Sequence, residues 1–68
     1  MEQETLNLSI RRFLKMVGIS SQREIEQAVA KSIASSELAG VEAFPATMTL
    51  RIPALHLEIK FDGQINLK

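Results

Sequence analysis

The sequence has no cysteine, no tryptophan, no tyrosine and a single histidine, His56. Without cysteine there is no disulfide framework, no thiol nucleophile and no thiolate metal site. One histidine cannot form a paired-histidine metal motif, so neither a metal nor a cofactor is expected. The charges balance, eight basic against eight acidic residues, which argues against a general nucleic-acid binder, normally a basic protein. The apolar runs are only a few residues long, far short of the roughly 20 needed to span a membrane. Glu2 and Glu4 occupy positions where a secretory signal would carry positive charge. The cytoplasm is therefore the expected compartment.

What is present points to one small folded domain, residues 1–68. A hydrophobic content of 46% is too high for a disordered chain. Domains under roughly 70–80 residues gain little from their own core and usually add a disulfide, a metal or a partner subunit. The first is impossible here and nothing in the sequence supports the second. Self-association, as a homodimer or larger assembly, is thus a reasonable expectation.

Periodicity divides the chain. Residues 4–17 and 22–36 follow a helical rhythm, residues 46–68 alternate with period two, and 37–45 is linker-like. In the first segment Leu6, Ile10, Phe13, Leu14 and Val17 fall on one helical stripe. Gly18 then suits a left-handed helix end, with Ile19 packing back on Leu14. Ser21 and Glu24 have the spacing of a capping box that starts a second helix, whose stripe is Ile25, Ala28, Val29 and Ile33. In the last third Met48, Leu50 and Ile52, then Leu55, Leu57 and Ile59, then Ile65 and Leu67 alternate with polar residues. Pro53-Ala54 and Asp62-Gly63 mark turns. A three-residue loop, Phe61-Asp62-Gly63 with a bulge at Gly63, keeps Ile65 and Leu67 on the apolar face. At the other turn Arg51 would oppose His56 and Leu50 would oppose Leu57. The fold expected is α+β, with two N-terminal helices packed on one face of a three-stranded antiparallel meander, in the order α-α-β-β-β.

Four features bear on function. The fragment Val17-Gly18-Ile19-Ser20 resembles the turn of bacterial helix-turn-helix proteins. However, Ile25 comes one position late, Leu14 is bulky where a small residue is usual, and Glu24 and Glu26 leave the second helix without a basic face. Nucleic-acid binding is the alternative reading, against the commoner one of a plain helix pair. On the polar sheet face, the expected register sets Arg51, His56 and Lys68 side by side, a row suited to a small anion. The commoner reading is a solvated face neutralised by Glu58. No enzyme is expected: His56 lies on an open face with no tuning partner, and the serines are explained by helix ends. Finally, Leu8 lies nearly opposite the stripe of the first helix and Met16 on its flank, while Val41 and Phe44 make the linker apolar. These four are candidates for an interaction surface, or else Leu8 is merely exposed and Phe44 closes the core.

The segments GISSQREIEQAV, PATMTL and FDGQINL, together with LNLSIRRFLK, resemble a family of short bacterial proteins of unknown function along nearly the whole chain. The resemblance implies a bacterial source and an intracellular stand-alone domain. It implies no activity and assigns no site residue. The function expected is a non-enzymatic module for protein interaction or homo-oligomerisation.

Overall fold

A computed structural model describes all of residues 1–68. The chain divides into two units, Met1–Leu38 and Ala39–Lys68. The first holds one helix, α1 (Gln3–Ala34). The second is an antiparallel hairpin of β1 (Ala43–Ile52) and β2 (Leu57–Asn66). The order is therefore α-β-β. The expected pair of helices and three-stranded meander do not form.

The 32 residues of α1 extend for about 48 Å at the helical rise. The helix runs unbroken through Gly18, and one set of positions keeps a common phase along it. Ile10, Leu14, Val17, Ser21, Ile25, Ala28 and Ser32 follow one another at steps of four or three and repeat every eleven residues. An eleven-residue repeat averages about 3.67 residues per turn, close to the natural period of a straight helix. No proline falls within the range, and the flanking Leu, Met, Arg, Lys, Gln and Glu are good helix formers. Gly18 is consequently an interior helical residue and not a left-handed terminus. Ser21 and Glu24 are also interior, where the backbone amides a capping box would satisfy already bond within the helix. The Val17–Ser20 turn is absent, and with it the helix pair that a helix-turn-helix requires.

The helix stops two residues beyond Ser32, at Ala34. Ser36 adopts a left-handed φ of 62°. Its amide donates to the Ile33 carbonyl at 3.0 Å, and the Glu37 amide donates to the Ser32 carbonyl at 2.9 Å. These two bonds are the Schellman pattern, with serine where glycine is usual. Glu4 in the first turn and Lys31 in the last complement the helix dipole.

In the hairpin the register runs without interruption from Ala43 opposite Asn66 to Ile52 opposite Leu57. Pro53–Leu55 form a short 3-10 turn, and His56 closes it in the left-handed region at φ 51°, its amide donating to the Pro53 carbonyl at 3.1 Å. Pro53 supplies the fixed φ that starts such a turn, so the turn expected at Pro53 forms. The one expected at Asp62-Gly63 does not. β2 passes straight through both residues, and Gly63 has no positive φ. Leu57, Ile59, Phe61, Gly63 and Ile65 all share one parity, so a single straight strand keeps them on one face without any bulge. The register accordingly shifts: Arg51 opposes Glu58 and not His56, and Leu50 opposes Ile59 and not Leu57.

Two substitutions test the helix. A β-carbon at Gly18 meets nothing within 4 Å. Gly18→Ala is therefore expected to stabilise α1 by about 1 kcal/mol, read as a higher midpoint for loss of the helical circular dichroism signal. A fall in the midpoint would mean that Gly18 is a left-handed terminus. Ser36→Gly is expected to raise the same midpoint by about 0.5–1 kcal/mol, by removing the side-chain penalty of the left-handed conformation. An unchanged or lower midpoint would contradict the Schellman ending.

Candidate functional site

The hairpin has two chemically distinct faces. Strand alternation puts Phe44, Met48, Leu50 and Ile52 of β1 on the same face as their partners Ile65, Phe61, Ile59 and Leu57 of β2. Ala46 opposite Gly63 completes this face and makes a shallow saddle in it, with larger pairs on either side. Every position on the face is apolar. None of them is buried, and Phe61 is 54% and Met48 45% exposed.

The opposite face is polar. Arg51 Nε donates to Glu58 Oε1 at 3.0 Å, and Thr47 Oγ1 donates to Asp62 Oδ1 at 2.8 Å. Both pairs are directly opposed in the register, the geometry in which cross-strand pairs stabilise a hairpin. Both Arg51 and Glu58 are more than half exposed, so their ion pair contributes at most about 1 kcal/mol.

The sequence-predicted residues fall as follows. Arg51 is turned to Glu58 near the turn. His56 is in the turn itself. Lys68 lies beyond the far end of β2, roughly 30 Å of strand away at about 3.3 Å per residue. The structure does not bring these three together as a row. Leu8 and Met16 are exposed on α1, at 47% and 53%. Val41 precedes β1 and is half-buried; Phe44 is in β1 on the apolar face, also half-buried. In the helical unit no residue is buried, and Leu14 on the stripe is 55% exposed. No group of three or more His, Asp or Glu side chains is gathered as a metal site would require. No helix is long and apolar enough to cross a membrane.

The largest feature that the expected meander hid is the continuity of the apolar hairpin face through Gly63. Its signal was the common parity of residues 57 to 65.

A long helix followed by a hairpin with one wholly apolar face defines a small helix–hairpin protein. The sequence matches the family of unknown function DUF6494 over residues 1–68, its whole length, and the chain belongs to that family. No curated protein matches the chain, and no solved structure does.

The placement of Arg51, His56 and Lys68 makes a prediction. On titration with millimolar phosphate, the His56 ring resonances are expected not to move beyond the effect of ionic strength. A saturable shift would show that an anion is held at the turn.

Proposed function

We propose that this protein is a non-enzymatic interaction module whose apolar faces are covered by self-association. The observation that carries the reading is the absence of any buried residue in a chain with a wholly apolar hairpin face. Burial of apolar surface is the main favourable term in folding, and a two-stranded hairpin alone is marginal in water. A large contiguous apolar patch on a small chain marks an interaction surface.

No second class of function has a comparable observation behind it: the polar face carries one exposed ion pair and no convergent set of cations.

Size-exclusion chromatography with light scattering tests the reading. The mass is expected to be a multiple of 7.6 kDa at micromolar concentration. Leu50→Asp, which puts a charge on the apolar face, is expected to shift the dissociation constant upward by tenfold or more, about 1.4 kcal/mol or above. A folded monomer at every concentration would overturn self-association.

A further inference from the structure

We propose that a second copy of the chain pairs with the free edge of β2, antiparallel and centred on Phe61, so that Lys60 of each copy faces Asp62 of the other. The proposal rests on the self-association reading and names an edge contact between copies, which joins two hairpins side by side and is separate from the covering of their apolar faces. The backbone first decides which edge is available. The Leu67 amide donates to the Glu42 carbonyl at 2.7 Å, which continues the register of the hairpin by one pair. Hydrogen-bonded pairs alternate along an antiparallel ladder. Phe61 and its same-parity neighbours in β2 therefore direct their backbone groups at β1, while Glu58, Lys60, Asp62 and Gln64 direct theirs outward. On β1 the outward set includes Pro45, which has no amide hydrogen. The edge of β1 is thus interrupted, and the edge of β2 is complete.

Side chains then select the register. Slipping by one residue would turn the apolar face of one copy to the polar side of the other. Among the registers that keep the faces aligned, centring on Phe61 uses nearly the full length of β2. It places Lys60 opposite Asp62 twice, and Glu58 opposite Gln64 twice. A shift of two residues in either direction sets Lys60 against Lys60 or Asp62 against Asp62, which is unfavourable. The next complementary register, centred on Ile59, roughly halves the overlap. Lys60 has no ion-pair partner within its own chain, where the salt bridge is Arg51–Glu58. The outward backbone groups of Lys60 and Asp62 are those that would exchange hydrogen bonds in this register. The result is a four-stranded sheet in the order β1-β2-β2-β1, with one face apolar throughout, and four strands meet the strand-number requirement that a lone hairpin misses.

Charge reversal on the full chain tests the arrangement, with mass read by light scattering and folding by circular dichroism. Lys60→Glu and Asp62→Lys are each expected to weaken the dimer about tenfold or more, because two attractive pairs become two repulsive ones. An equimolar mixture of the two variants is expected to regain dimerisation, since each repulsion is then replaced by an attraction. Phe61→Cys places a sole cysteine on the two-fold axis. Opposed α-carbons there are about 4.5 Å apart, within disulfide reach, so oxidation is expected to yield a covalent dimer. Thr49→Cys, on β1, is expected not to cross-link. If the wild type is a dimer but both charge variants remain dimeric, the β2 edge is wrong and self-association stands. The β2 edge is equally wrong if the mixture fails to recover, or if Thr49→Cys cross-links and Phe61→Cys does not. If the wild type is a folded monomer, both readings fall together.

Discussion

The pairing of Met48 with Phe61, Leu50 with Ile59 and Ile52 with Leu57 is the constraint on which the hairpin depends. Once these pairs are opposed, strand alternation leaves no freedom for the rest. Phe44, Ala46, Met48, Leu50 and Ile52 must share one face with their β2 partners, and Thr47, Arg51, Glu58 and Asp62 must share the other. The cross-strand bonds of Thr47 to Asp62 and Arg51 to Glu58 are consequences of that register. The polar pairs favour it by tenths of a kcal/mol each, whereas slipping it would expose or misplace every apolar side chain.

Much of this is legible in the sequence, and the departures have a common cause. The helical and strand segments have the expected types, the helix ends at Ala34 against a helical rhythm read to residue 36, and the turn at Pro53 is where the sequence puts it. Local breaker residues account for the differences. Gly18 and the Ser21/Glu24 spacing suggest an end and a start, yet Ile10, Leu14, Val17, Ser21 and Ile25 keep one helical phase across them. Asp62-Gly63 suggests a turn, yet Leu57 through Ile65 keep one parity across it. A real break usually resets the phase of an apolar pattern, and an unbroken phase outweighs a glycine that costs only about 1 kcal/mol. The bulge expected at Gly63 repairs a parity conflict that the straight strand never has. The candidate site is less legible. The row of Arg51, His56 and Lys68 depends on the meander and goes with it, whereas the apolar face becomes visible only when the strand is allowed to continue.

A hairpin face that is apolar at every position also bears on what stability means for this chain. If folding is completed by association, the free energy of the folded state includes a concentration term. A single unfolding midpoint then describes the protein only at a stated concentration.

The backbone hydrogen bonds have a kinetic consequence. Each lies within the helix, within its terminal turns or within the hairpin, and the bond that spans the longest stretch of chain joins Glu42 to Leu67. No distant segments must meet before structure is rewarded, so the loop-closure delay that slows most β proteins is largely absent. Isolated helices and hairpins form in roughly 0.1–10 μs. Local structure in this chain therefore arises almost as fast as the backbone can move, and under the proposed self-association the slow event is an encounter between molecules, whose rate is set by how many copies are present.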